Sequence, residues 1–316
     1  MLSAKKSVFK RILITVIIAI LVFSIISLAA TKFIYDGIFA RVDSPEIKIP
    51  TELTDMVSNR QEKQYYSEQT RLTGYLYACD NPNNKNSLIV LAPGFNAGAD
   101  SYLWQISELF DLGWSVFAFD PSGCYSSSGE SSVGFAQEVL DLSATLFYIE
   151  KNNRFGYNDI ALLGHSRGGY AACCVLAEDY DISAVISISG VNSAMEGVLS
   201  TSSNYIGNLA YTNYGFLWLY QAILFGTETL NLKANEEIAK SKVPVLIVHG
   251  EKDNKVPLNK YSIISYKDEI DSKNVEYYIC CEKDKNGHTN LLFDEDGSAN
   301  NLLITQINEF LIRSIN

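Results

Sequence analysis

Five consecutive residues, Gly164-His165-Ser166-Arg167-Gly168, set a serine between two glycines in the pattern Gly-x-Ser-x-Gly. The apolar run Ile160-Ala161-Leu162-Leu163 precedes them, and Gly169-Tyr170-Ala171-Ala172-Cys173-Cys174-Val175-Leu176-Ala177 follows as a buried helix. The serine therefore stands at the apex of a strand, tight turn and helix, where a hydroxyl can serve as a nucleophile. A side chain at Gly164 or Gly168 would collide with the neighbouring strand or helix, and the turn strains the serine backbone. A serine hydroxyl is too weak an acid to attack a carbonyl unaided, so Ser166 needs a base. The chain has three histidines. His165 is next to Ser166 and should point elsewhere. His249 ends an apolar run and reads as a packed or hydrogen-bonded side chain. His288 lies in a polar loop beside Gly287, which leaves its backbone free. The base in turn needs an acid to hold its tautomer. Asp253 follows the strand at 243–249, in a Gly-x-x-Asp-x-x-Val-Pro loop; Asp284, four residues before His288, is the competitor. Strand-end placement favours Asp253, because functional groups of an open α/β sheet gather at its carboxyl edge.

The elements that must position these residues are legible as periodicity. An early antiparallel strand is predicted at 71–78, a turn at 81–84, and buried strands at 87–92, 114–119, 184–189, 243–249 and 275–281. Helical spacing marks 101–112, 133–151, 261–270 and 301–315. Apolar strands alternating with helices signal a mostly parallel sheet covered on both faces.

The elbow has company: Pro93-Gly94-Phe95, the run Asp120-Pro121-Ser122-Gly123-Cys124-Tyr125-Ser126-Ser127-Ser128-Gly129, Gly250-Glu251-Lys252-Asp253-Asn254-Lys255-Val256-Pro257 and Asn286-Gly287-His288. In these motifs and their order, residues 70–316 resemble the α/β-hydrolase fold family. The resemblance implies an α/β fold with a helical cap inserted at 191–242. It implies Ser166 as nucleophile, His288 as base and Asp253 as acid, with a structural loop at Asp120. The oxyanion hole would be the backbone N–H groups of Phe95 and Arg167. Many relatives have His-Gly where this chain has Pro93-Gly94, but backbone donation depends on position rather than side chain. The Arg167 side chain is either a salt-bridge partner within the fold or a contact for an anionic substrate group. The insertion carries Tyr205, Tyr211, Tyr214, Phe216, Trp218, Tyr220 and Phe225. These rings either shape an apolar acyl or aryl pocket or pack the cap onto the sheet. The expected activity is a serine hydrolase, esterase or lipase-like, that cleaves a carboxylic ester or related acyl bond of a partly apolar small molecule through an acyl-enzyme. A peptidase or acyltransferase of the same fold is the alternative, as is a non-catalytic surface protein on this scaffold.

Composition bounds the rest. The chain has 316 residues, and 47% hydrophobic content with seven prolines argues against disorder. Of 25 basic residues, four (Lys5, Lys6, Lys10, Arg11) lie in the first eleven positions, so the remaining 21 face 36 acidic residues. Such an acidic body excludes nucleic acid as a partner on charge grounds. Residues 12–30 carry no charge over 19 positions, long enough at about 1.5 Å per residue to cross a hydrocarbon core of about 30 Å. The expected organisation is a cytoplasmic basic tail (1–11), a signal-anchor (12–30), a stalk and lead-in (31–70) and an outward-facing hydrolase domain (71–316). A cleaved signal peptide, which would yield a secreted protein, is the competing reading, given Ser27-Leu28-Ala29. Six cysteines lack CxxC spacing and the histidines lack HxxxH spacing, so no metal or organic cofactor is implied; spacing leaves open a disulfide between Cys79 and Cys280 or Cys281.

Overall fold

The computed structural model describes residues 2–43, 49–80, 86–271 and 273–315. The expected turn at 81–84 and Pro45 of the lead-in lie outside the described residues. Eight strands form one sheet in the order β1-β2-β4-β3-β5-β6-β7-β8. They are β1 (Gln61–Ser67), β2 (Thr70–Tyr77), β3 (Ser87–Ala92), β4 (Ser115–Asp120), β5 (Asp159–His165), β6 (Ala184–Ile188), β7 (Val245–Gly250) and β8 (Val275–Cys280). β1 with β2 and β2 with β4 pair antiparallel, and every other neighbour is parallel. The helices are α1 (Leu2–Ile38), α2 (Thr54–Asn59), α3 (Leu103–Asp111), α4 (Phe135–Lys151), α5 (Arg167–Cys174), α6 (Ala194–Ile206), α7 (Leu209–Thr212), α8 (Tyr214–Leu230), α9 (Ala234–Lys240) and α10 (Asn301–Ser314).

Alternation along the central strands divides the core in two. Leu88, Val90 and Leu162 face one layer, which holds α4, α5, α9 and much of the cap. Ile89, Leu91 and Leu163 face the other, built on α3 and α10. Every residue of β3 and β4 is buried, which is why they read as unbroken apolar runs rather than alternating ones. β1 escapes the pattern because it is an edge: its sequence Gln-Glu-Lys-Gln-Tyr-Tyr-Ser buries only Tyr65 and Ser67. The helix expected at 261–270 is a 3₁₀ helix, Ile263–Glu269, begun by the Ser262 hydroxyl accepting from the Ser265 N–H at 3.1 Å. Cys124, Cys173, Cys174, Cys280 and Cys281 are free thiols, and the Cys79 thiol donates to the Phe110 carbonyl at 3.4 Å.

Within the expected stalk and lead-in at 31–70, residues 31–43 pack against the body. α1 runs unbroken past the uncharged stretch to Ile38, and its last turn drives Tyr35 and then Phe39, both buried, into the α4 side of the core. The Phe39 ring meets Tyr35, Phe95 and Phe135 at centroid distances of 4.5, 5.2 and 6.4 Å. Beyond it the chain is strapped to the loop after β4. The Ser132 N–H donates to the Phe39 carbonyl at 2.8 Å, and Arg41 donates to the carbonyls of Tyr125, Ser127 and Gly129 at 2.7 to 3.0 Å. Ile34, Tyr35, Ile38 and Phe39 recur at helical spacing, but spacing does not say which surface the two rings meet; the junction is held by those rings, by backbone pairing and by the Arg41 side chain. Phe39→Ala should therefore cost about 3–5 kcal/mol, as expected for a fully buried ring. Thermal or denaturant unfolding of the full chain in detergent checks this, and a free stalk would show no change.

Candidate active site

β5 ends at His165, and Ser166 follows with φ +55° and ψ −114° before α5 begins. The strain is held by backbone contact. A Cβ on Gly164 would lie 2.1 Å from the Gly168 carbonyl oxygen, and one on Gly168 would lie 2.0 Å from the Ala92 oxygen. The Ser166 N–H donates to the Ile188 carbonyl at 2.8 Å, tying the turn to β6. The loops after β7 and β8 bring Asp253 and His288 to the same edge of the sheet. The Ser166 Oγ lies 2.9 Å from His288 Nε2, and His288 Nδ1 lies 2.7 Å from Asp253 Oδ2.

Asp253 is fastened from three sides. Its Oδ1 accepts from the backbone N–H groups of Lys255 and Val256, both at 2.8 Å. Burial opposes its ionisation, but hydrogen bonds from His249 and His288, the His288 charge and the Val256 N–H outweigh burial and hold the carboxyl below its usual range. The group favours the folded state above the ordinary aspartate range, and that contribution is lost as pH falls through its lowered folded value. Asp284 is exposed in a separate cleft with Glu282 and Lys285, away from His288. Asp120 is structural, accepting from the Ala99 and Ser126 N–H groups at 2.9 and 3.1 Å.

Two histidines set aside in the sequence belong to this site. His249 is fully buried; its Nε2–H donates to the Val256 carbonyl at 2.9 Å and stands 3.3 Å from Asp253 Oδ2. His165 does turn from Ser166, but into the same assembly. Its Nε2 bonds the His288 carbonyl at 3.0 Å, and a carbonyl only accepts, so Nε2 carries the proton. Nδ1 must then accept from the Tyr102 hydroxyl at 2.9 Å, and that oxygen in turn accepts from the Gly94 N–H at 2.9 Å. One relay thus joins the loop after β3, the elbow and the His288 loop. No spacing rule announces it, since it links positions 94, 102, 165 and 288.

Phe95 lines the cavity above Ser166. Arg167 sends its side chain away from that cavity into the core, where Nη2 lies 2.7 Å from Glu138 Oε2 with both side chains fully buried. Of the two expectations for Arg167, the salt bridge holds. Burial pushes the Glu138 carboxyl upward against the pull of Arg167. The cavity has a volume of about 450 Å³ and is lined by both loops and by one face of α6, at Gly197, Ser200, Thr201, Asn204 and Tyr205. Of the seven cap aromatics, Tyr205 lines it, whereas Tyr220 and Phe225 are buried where the cap packs on the body.

A family model of the alpha/beta hydrolase fold matches residues 87–209. The solved structure of an esterase from Pyrococcus furiosus superposes with a TM-score of 0.64 at 18% identity, covering 88% of this chain and all of its own. The chain is an α/β-hydrolase-fold protein. Est1E from Butyrivibrio proteoclasticus, solved with ferulic acid bound, superposes on the same hydrolase fold with a TM-score of 0.61 at 19% identity, over 80% of this chain and 99% of its own. An esterase from Exiguobacterium antarcticum does so at 0.53 and 14%, over 77% and 96%. Among curated proteins no sequence matches.

Two tests follow from the geometry of this hydrolase fold. Burial and the neighbouring His288 lower the His165 imidazole to about 3, so NMR titration should find it neutral throughout the range in which an ordinary histidine protonates. Arg167→Met strands Glu138 in the core and should cost about 3–5 kcal/mol, whereas the double replacement with Glu138→Leu should recover much of the loss. Denaturant unfolding of both variants measures the difference.

Proposed function

We propose that this protein is a membrane-anchored serine hydrolase of carboxylic esters. The observation that carries the reading is the continuous chain of contacts from Ser166 Oγ to His288 Nε2 at 2.9 Å and from His288 Nδ1 to Asp253 Oδ2 at 2.7 Å. His288 takes the hydroxyl proton as Ser166 Oγ bonds to the ester carbonyl carbon. Asp253 keeps the imidazole proton on Nδ1 and stabilises the imidazolium. The negative charge on the former carbonyl oxygen is met by the backbone N–H groups of Phe95 and Arg167, the latter at the start of α5, where the helix dipole adds its positive end. The tetrahedral intermediate expels the alcohol, which leaves with the proton from His288. Water then repeats the sequence on the acyl-enzyme and releases the carboxylic acid.

A cavity of about 450 Å³ suits a small molecule. That structures of the same fold include esterases favours an ester over a peptide bond. The anchor is α1, whose stretch Ser7–Ile38 contains an 18-residue window with a mean hydropathy of 3.1, none of it buried. The basic cluster before it stays on the cytoplasmic side, and the hydrolase body faces outward.

Fluorophosphonate should label the folded wild type at Ser166, and Ser166→Ala should abolish labelling; an unlabelled wild type would sink the enzyme reading. His288→Ala should lower turnover by about 10³–10⁶-fold, with Asp253→Asn losing about 10⁴-fold. Mass spectrometry of the native N-terminus should find residues 12–30 retained in the membrane fraction. A mature chain starting near Ala30 would instead identify a secreted protein.

A further inference from the structure

The cap has an apolar outer face that the catalytic reading does not use. Between Glu196 and Glu228 lie 31 consecutive residues without a charged side chain. α8 buries Leu217, Tyr220, Gln221 and Phe225 against the body. Leu219 and Ile223 on its other side are exposed, as are Leu224 at the margin of the packed side and Leu209 of α7; Ile223 is 64% and Leu209 58% exposed. Apolar surface of this kind on a protein marks an interaction site.

Contacts with α1 say what covers it. The Phe216 ring packs edge-on against Phe23 at 6.2 Å. Phe23 is seven residues before Ala30, the end of the uncharged stretch, and so about 10 Å inside it along the helix. Tyr220, one turn after Phe216, donates instead to Asp36 at 2.8 Å, at the level of the first charged residues after that stretch. Asn213 and Tyr220 both meet α1 within Thr31–Asp36, although seven residues of helix separate them by about 10 Å. α8 therefore lies across α1 rather than along it, with its polar contacts at the charged end and Phe216 on the hydrocarbon side. α6 stands between, one face lining the cavity while Ser202 and Ile206 face α1.

We propose that residues 209–224 are a second membrane-embedded surface, seated in the leaflet through which α1 emerges, and that the cavity over Ser166 is loaded from the bilayer with acyl esters of lipid-resident amphiphiles. The proposal rests on α1 being an anchor. If α1 spans the bilayer, Phe216 shares the depth of Phe23, and Leu219, Ile223 and Leu224 replace water contact with lipid. α6, with Tyr205 of its cavity-lining face 64% exposed, then separates the cavity from the leaflet by one helix width, about 10–12 Å. An ester drawn from the leaflet reaches Ser166 without passing through bulk water.

The full chain carrying Cys281→Ser, which removes the one exposed thiol, would receive single cysteines at Phe23, Ile223 or Phe147, each labelled with an environment-sensitive fluorophore. The proteins would be reconstituted in phosphatidylcholine vesicles containing chain-nitroxide phosphatidylcholine. The labels at Phe23 and Ile223 should be quenched severalfold more than the one at Phe147, an exposed position on α4. Quenching at Phe23 but not at Ile223 overturns the proposal and leaves the anchor standing; no quenching at Phe23 overturns both. The pair Leu219→Lys and Ile223→Lys should slow hydrolysis of a long-chain ester embedded in vesicles by about tenfold or more, because lysine is costly in hydrocarbon. Turnover of a water-soluble short-chain ester should stay within about twofold, since neither residue lines the cavity. Unchanged or equally lowered rates on both substrates overturn loading from the bilayer.

Discussion

The turn at Ser166 is the constraint around which the rest is arranged. A non-glycine residue at φ +55° is held only where its surroundings overdetermine it. Here the surroundings are backbone: the start of α5 sits so close to β5 and to the end of β3 that Gly164 and Gly168 have no room for a Cβ. That closeness raises the Ser166 hydroxyl above the sheet edge, where only a group arriving on another loop can reach it. It also aims α5 with its N-terminus at the cavity. The side chain of Arg167 runs into the core, to Glu138.

The His288 loop reaches the serine because His288 is held by both its side chain and its backbone. Asp253 grips the imidazole, and His165 grips the carbonyl of the same residue. His249 and the N–H groups of Lys255 and Val256 hold Asp253 in turn. Through Tyr102 the grip extends to Gly94, next to Phe95. The parts that would bind a developing oxyanion and the parts that would move a proton thus share one hydrogen-bonded frame. Burial keeps the His165 imidazole neutral, so this frame adds no positive charge beside His288.

Phe95 also touches Phe39, at the end of the N-terminal helix. The C-terminal turn of α1 is therefore packed into the α/β core rather than tethered to it. A rigid continuation of this kind fixes the distance and orientation of the cavity relative to α1, which a flexible linker would not do. Two of the cap rings pack at the same junction: Tyr220 stacks edge-on with Tyr35, and Phe216 meets Phe23.

The strands, the elbow and the order of Ser166, Asp253 and His288 were legible in the sequence, because each is a local pattern. A strand buried on both faces must be uniformly apolar, and a turn with no room for a Cβ must use glycine. β1 was not legible, since an edge strand facing water carries polar residues. Three matters belonged to the tertiary structure alone: the ion pair of Arg167 with Glu138, the relay through His165 and Tyr102, and the docking of residues 31–43. Each joins residues whose separation along the chain bears no relation to any helical or strand period. A side chain's partners are decided by which surfaces the folded sheet brings together, and local periodicity carries no record of that.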